Sequence, residues 1–287
     1  MRNEAEGSVP IDKNEKQRLQ EKARQHRTDI VNVTEWAGGA HIGGAMSMAD
    51  ILTILYYKFL RIDPARPDWD ERDRMILSKG HGGVGLAAVL GRRGYFDMAL
   101  LRNFNKFKSP FGMHLDCRKV AGVDASTGSL GHGMSMAVGL ALGARLQRKS
   151  WITYCIVGDG ECNEGSIWEA AMSASHFKLT NLITIVDRNS LMIDGRTEDV
   201  MALEPFADKW RAFGFLVKEI DGHDFDELND AISDAREKRQ APVVIIAKTV
   251  KGKGVDYMEN EVKWHYGSMN SELAQQARRS IEKMHSA

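Results

Sequence analysis

The sequence predicts an α/β fold, a mostly parallel sheet with helices on both faces, and three observations carry that prediction. Apolar runs of strand length alternate with stretches of helical period through most of the chain, the order that repeated strand–helix units produce. Several of the runs, WITYCIVG, LITIVD and PVVIIAK among them, are apolar at successive positions, as strands covered on both faces must be. Glycine-rich loops stand at the ends of apolar runs, where an open sheet of this class binds ligands.

Residues 1–13 read as a flexible polar arm and 14–287 as one domain. Asp12 and Glu15 have capping-box spacing and start a helix to about residue 37, with Leu19, Ala23, Ile30 and Val33 inward. GGAHIGGAMS (38–47) is expected to be a glycine-rich loop around His41, and Ser47 to cap a helix, SMADILTILYYKFL (47–60). Residues 61–74, rich in Pro, Asp and Arg, read as a surface loop. ILS then leads into a second glycine-rich loop, KGHGG (79–83), around His81, and a short helix ends near 93. Residues 103–128 are irregular, and a helix of small residues spans about 131–149. WITYCIVG (151–158) is a buried strand, GDGECNEGS (158–166) the loop after it, IWEAAMSASHFK (167–178) a helix and LITIVD (182–187) the next buried strand. GFLVKEID (214–221) and PVVIIAK (242–248) are two more strands around the helix FDELNDAISDAREKR (225–239), and a last helix covers 271–284.

The chain carries 39 basic and 39 acidic side chains, so neither nucleic acid nor an anionic membrane is expected as a bulk partner. Cys117, Cys155 and Cys162 are too few and too irregularly spaced for a disulfide framework or a structural zinc site. The N-terminus has no apolar core of the signal-peptide kind, and the longest apolar stretch, 134–146, is short for a membrane span and contains Arg145. These features lead to the expectation of a soluble cytoplasmic protein.

The strongest chemical signal lies between Gly158 and Gly195. Asp159 follows one buried strand in a Gly-Asp-Gly turn, and Asn189 follows the next. If the two strands are neighbours, the pair converges at one sheet edge. A carboxylate, an amide oxygen and a backbone carbonyl make a hard oxygen site for Mg2+ or Ca2+, underfilled by protein alone. Phosphate oxygens and water would complete it, and Gly158 and Gly160 would let backbone N–H groups approach the phosphate. A turn Asp and a turn Asn with no metal is the plainer alternative.

GDG followed about thirty residues later by an Asn after a strand resembles the signature of thiamine-diphosphate enzymes. The resemblance implies Mg2+ on Asp159, Asn189 and the carbonyl of Leu191, with Arg188 standing where the family often has a second Asn. Further text narrows the family to transketolases, and within them to the N-terminal subunit of a split, two-chain enzyme. LSKGHGG resembles the loop whose His, here His81, contacts the diphosphate and the substrate. AHIGGAMSMADIL resembles a stretch whose His, here His41, faces the substrate, with Ile42 in place of the usual Pro. FGMHLD resembles another substrate-facing loop, with His114. STGSLGHGMSMAVGLALG resembles the segment lining the thiamine ring, which implies contacts from Gly128, Ser129 and Leu130 and leaves His132 where Gln is usual. KGKGVDYMENEVKWHYG resembles the tail of split transketolases and implies a diphosphate or substrate contact at His265.

Taken together, the resemblance implies catalytic roles for His41, His81, His114 and His265. Proton moves at sugar oxygens near pH 7 call for neutral-to-cationic donors, which histidine supplies. The resemblance also implies cofactor contacts at His81, Gly158, Asp159, Gly160, Glu161, Asn189 and His265 besides the 128–130 segment. Glu164 and Glu169 would lie at a subunit interface; the plainer reading is a solvated helix start. The implied activity is transfer of a two-carbon ketol unit from a ketose phosphate to an aldose phosphate. The family's pyrimidine-binding domain, with its activating Glu, is expected on a separate C-terminal subunit in an α2β2 assembly. A deoxyxylulose-phosphate-synthase type, an orphan cofactor-domain protein without turnover and an unrelated Mg2+-phosphate enzyme stay open at this point.

Overall fold

The computed structural model describes residues 10–238 and 240–284. Residues 1–9, most of the expected arm, lie outside the described residues. Helix α1 (Lys13–Ala37) starts where the Asp12 carboxylate accepts the Glu15 amide at 2.8 Å. It ends at Gly38, whose φ of 78° is the left-handed turn that glycine adopts freely. The Glu15 carboxylate is engaged by Lys58 at 2.8 Å, so the side-chain half of the cap is the Asp12 contact.

A short strand β1 (Gly39–Ala40) leads into α2 (Ile42–Ser47) and α3 (Ala49–Ile54), which continues as a π-helical turn over Leu55–Phe59. The stretch expected as a glycine-rich loop is therefore helical from Ile42 onward. All of α2 is buried, and a Cβ on Gly43 would stand 2.5 Å from the Trp264 carbonyl oxygen. Gly43 serves close packing, and tertiary burial overrides the helix penalty of about 1 kcal/mol that each glycine carries.

Strand β2 (Arg74–Leu77) rises from the end of the expected surface loop, and a 3-10 turn at Gly80–Gly82 opens α4 (Gly83–Arg93). Four residues beginning with Arg give too short an apolar run to betray a strand. After a 3-10 segment at Met98–Asn103, the chain has no helix or strand until α5 (His132–Leu146). Then come β3 (Thr153–Gly158), a 3-10 turn at Gly160–Asn163, α6 (Gly165–His176) and β4 (Leu182–Arg188). Two short helices not anticipated from the sequence follow, α7 (Thr197–Val200) and α8 (Phe206–Ala212). β5 (Leu216–Asp221), α9 (Phe225–Glu237), β6 (Val243–Lys248), β7 (Gly267–Ser268) and α10 (Ser271–Met284) complete the order.

The main sheet runs β2-β3-β4-β6-β5 and every pair is parallel; β1 and β7 form a separate antiparallel pair. Alternation along the strands makes two cores. Tyr154, Ile156, Ile183, Ile185, Val243 and Ile245 pack with α1, α3, α4, α9 and α10. Cys155, Val157, Val186, Val244 and Ile246 pack with α5, α6 and α8 on the other face. The central strands β3 and β4 are buried along their whole length, which matches their apolar runs. Edge strand β5 is half exposed.

Register fixes the site. Gly158 pairs with Asp187 and Arg188 with Lys248. The segments leaving β3, β4 and β6 therefore emerge side by side at the carboxyl edge.

Candidate functional site

A cleft of about 280 Å³ opens at that edge and is lined by Asp159, Asn189, Leu191, Lys79, Lys251 and a group of histidines. Asp159, first residue past β3, is 2% exposed. Its carboxylate accepts the Ser190 amide at 2.6 Å and the Gly160 amide at 2.8 Å. Ser190 holds a left-handed φ of 63°, the bend that turns its N–H back onto Asp159. Arg188, where a second Asn is common in the family resembled, sits 3.5 Å from the same carboxylate and ties down the following loop through Thr197, Glu198 and Glu204. Burial, then the charge of Asp187, push the Asp159 pKa up to about 6 against the pull of those donors. That is a carboxylate short of positive charge.

Asn189 is oriented by its neighbours: its amide nitrogen donates to Asp187 at 3.2 Å and its oxygen accepts the Leu191 amide at 3.2 Å. The Leu191 carbonyl accepts the Lys251 ammonium at 2.8 Å. The donor set thus consists of a carboxylate, an amide oxygen and a carbonyl, all lining one cleft. Among the described residues no cluster of three or more His, Cys, Asp or Glu is arranged to hold a metal. A hard cation that takes its remaining ligands from phosphate and water fits this set, and the undercompensated Asp159 is the observation that favours it.

Beneath the cleft lies a buried charge pair that the sequence did not announce. The Lys79 ammonium meets the Asp187 carboxylate and donates to the Gly44 carbonyl at 2.9 Å. Asp187 also accepts from Ser47 at 2.5 Å and from Thr249. Burial works to raise the Asp187 pKa, but the Lys79 charge and these hydrogen bonds carry it below the usual carboxylate range. Lys251, 2% exposed, is pushed down to about 8 by burial and by Lys79, with Asp159 and Asp187 opposing. Of the three lysines in KTVKGK (248–253), Lys248 is exposed and only Lys251 lines the cleft.

The histidines form one group. His41 stands 5.1 Å from His81 and 5.5 Å from His265 between ring centres, and His81 stacks on His265 at 5.3 Å. His114 is exposed at the mouth and lines the same cleft. Burial, then the Lys79 charge, lower His81 to about 2, while burial and then Lys251 lower His265 to about 3. His41 falls by burial and then by the charge of His114. The expectation of neutral-to-cationic donors narrows accordingly: His41, His81 and His265 are neutral imidazoles at pH 7, each able to donate at one nitrogen and accept at the other.

Of the other expected residues, Leu130, Gly158, Gly160 and Glu161 line the cleft, whereas Gly128 and Ser129 are exposed outside it. Glu161 is mainly a brace. Its carboxylate accepts from Ser78 at 2.5 Å, the Gly131 amide at 2.8 Å and the Gly158 amide at 3.0 Å, joining the ends of β2 and β3 to the start of α5. Glu164 and Glu169 are exposed at the start of α6, and His132 is exposed at the start of α5. Cys162 is buried with its thiol pushed up and donates to the Gly158 carbonyl at 3.3 Å, which leaves it inert. Among the described residues no helix is long and apolar enough to cross a membrane.

Comparison with known proteins gives the chain a family and relatives. The thiamine diphosphate binding domain of transketolase, as a family, matches residues 16–283. A 6-deoxy-6-sulfo-D-fructose transketolase subunit, SqwG, of Clostridium sp. (strain MSTE9) is 43% identical over 86% of this chain and 90% of its own length. An apulose-4-phosphate transketolase subunit of Phocaeicola vulgatus is 39% identical over 92% of this chain and 93% of its own. The crystal structure of transketolase from Campylobacter jejuni superposes with a TM-score of 0.88 at 33% identity, covering 93% of this chain. This chain spans only 43% of the length of that enzyme.

Proposed function

We propose, from the premise that this chain belongs to the thiamine-diphosphate-binding domain family of transketolase, that it is the diphosphate- and Mg2+-holding subunit of a two-chain transketolase. The observation that carries the reading is the convergence of Asp159, Asn189 and Leu191 with the Lys251 ammonium in one histidine-lined cleft. Asp159, Asn189 and the Leu191 carbonyl would hold Mg2+. Lys251, His81, His265 and the backbone of Gly158 and Gly160 would hold the diphosphate, with Leu130 against the thiamine ring. Ca2+ would suit the same oxygen set.

When bound, thiamine diphosphate supplies the stabilised carbanion that ketol transfer requires. The chain's own contribution is position and proton placement. Neutral His41, His81 and His265, close enough to share one substrate, would accept a proton from one sugar hydroxyl and donate to a carbonyl oxygen, the work imidazole does near pH 7. His114 at the mouth would grip the sugar chain.

Two named relatives of matching length are subunits of enzymes acting on a sulfonated and a phosphorylated ketose. They support a ketose donor with an anionic end, and a separate C-terminal subunit that brings the pyrimidine-binding domain and its activating Glu. Exposed Glu164 and Glu169 would face that subunit or a second copy. Met136 on α5 and Met172 on α6 are 40% and 58% exposed, leaving apolar surface beside them for an α2β2 assembly in the cytoplasm.

With thiamine diphosphate and Mg2+ supplied, the chain by itself should show less than about a thousandth of the ketol transfer seen after its pyrimidine-domain subunit is added, since positioning reacting groups is worth several powers of ten. Full turnover by the lone chain in a coupled assay would refute the two-chain reading.

A further inference from the structure

We infer that His223 is a positioning residue that holds Lys251 in the cleft, acting through the backbone of the segment that carries it. His223 lies in the turn after β5, in the text DGHD (221–224), and is not one of the residues that line the cleft. Its Nδ1 is 2.7 Å from the Asp50 carboxylate, and its Nε2 accepts the Val250 amide at 2.9 Å. An accepting Nε2 carries no proton, so the ring is the Nδ1–H tautomer and that proton goes to Asp50.

Asp50 is itself fixed. Arg27 donates to its two oxygens at 2.8 and 2.6 Å, and both side chains are buried. The Arg27 Nε donates to the Lys253 carbonyl at 3.1 Å. The chain of three side chains therefore grips the main chain at Val250 and at Lys253, one residue before Lys251 and two after it. Between those grips the Gly252 amide donates to Gly43 at 3.0 Å, and the Lys251 carbonyl accepts the Asn260 amide at 2.9 Å. Lys251 leaves this clamped segment toward the Leu191 carbonyl at 2.8 Å and His265 at 3.1 Å.

A lysine side chain has four rotatable bonds, so a defined ammonium position requires a defined main chain. Arg27 and Asp50 supply rigidity to the ring, as outer partners do for ligands in metal sites. The consequence for the cofactor rests on the cleft being the diphosphate site; the clamp itself does not.

Two near-isosteric substitutions separate acceptor from donor. Gln places its amide near Nε2 and keeps an acceptor for the Val250 amide; Asn places its amide near Nδ1 and keeps only a partner for Asp50. Hydrogen exchange at the Val250 amide should quicken about tenfold in H223N and change less than about threefold in H223Q, the worth of one hydrogen bond. Calorimetric affinity for thiamine diphosphate with Mg2+ should follow the same split, with the two variants melting alike. Equal losses in both variants, or no loss in H223N, would overturn the assignment. Should a variant fail to fold, a long-range nitrogen-15 spectrum of the unaltered chain still decides, because an Nε2–H tautomer at His223 is incompatible with the clamp. Amide exchange that splits as expected in a chain with no affinity for the cofactor would leave the clamp standing and defeat the reading of the cleft.

Discussion

Asp159→Ala should weaken Mg2+-dependent binding of thiamine diphosphate by at least about 30-fold, because removing one partner of a buried charged contact costs about 2–5 kcal/mol. The remaining oxygens, an amide and a carbonyl, carry no charge to hold a divalent ion. Asp159→Asn is the companion that separates binding from folding. The folded Asp159 pKa is raised from 3.8 to about 6, so the folded chain holds this proton more tightly than the unfolded one. The stability from that proton is complete below 3.8 and is lost as pH rises through 6. At pH 7.5 the metal-free wild type bears the full cost of a buried carboxylate, and Asn does not. The metal-free D159N chain should therefore melt no lower than wild type. Cofactor and Mg2+ at 100 times the dissociation constant should stabilise wild type by about 2.7 kcal/mol and leave D159N unmoved. Thermal melts with and without the pair measure both effects. A ligand-induced rise in D159N equal to that of wild type would remove Asp159 from the site.

How much of this was legible in the sequence follows from what each residue depends on. Asp159 and Asn189 each stand just past a buried strand, so their convergence was readable on the condition that the two strands are neighbours, which the pairing of β3 with β4 meets. The parallel order was equally readable, because β3, β4 and β6 are covered on both faces and therefore lack polar alternation. Lys79 was not readable as a functional group, and Lys251 was not distinguishable from its neighbours Lys248 and Lys253. A lysine beside glycine looks solvated until the packing of α2 and the clamp around Val250 bury it. Asp187 was hidden in plain sight as the last letter of LITIVD, since only the fold brings Lys79, Ser47 and Thr249 to it from three other segments. The histidines were found through their glycine-flanked text, but their charge state was not. It depends on burial and on the ammonium groups of Lys79 and Lys251, whose own burial only the fold decides. The helix at Ile42–Ser47 was missed because local propensity argues against it and tertiary contacts decide.

Asp187→Ala is expected to be the most damaging single change to the fold at this edge, costing about 3–5 kcal/mol, because it strands the Lys79 ammonium in a buried site. Lys79 is left with the Gly44 carbonyl as its remaining protein partner in the network, and Ser47 and Thr249 lose their acceptor. The unfolding midpoint should drop by on the order of 10 °C. The Asp187 pKa is lowered on folding from 3.8, so its contribution is complete above that value and disappears only as pH falls through the folded pKa. Measurement at pH 7 lies clear of that window. Lys79→Met in the same chain should recover part of the loss, since removing both charges removes the uncompensated one. A double variant as unstable as the sum of the two single losses would show that the pair is not coupled. The same change reaches the site. The Asn189 amide is held by Asp187 on one side and by the Leu191 N–H on the other; without the carboxylate only the Leu191 N–H orients it. D187A should therefore bind thiamine diphosphate with Mg2+ more weakly even at temperatures where it is fully folded. K79M/D187A should recover stability without recovering that affinity, a split that a purely structural role for Asp187 does not produce.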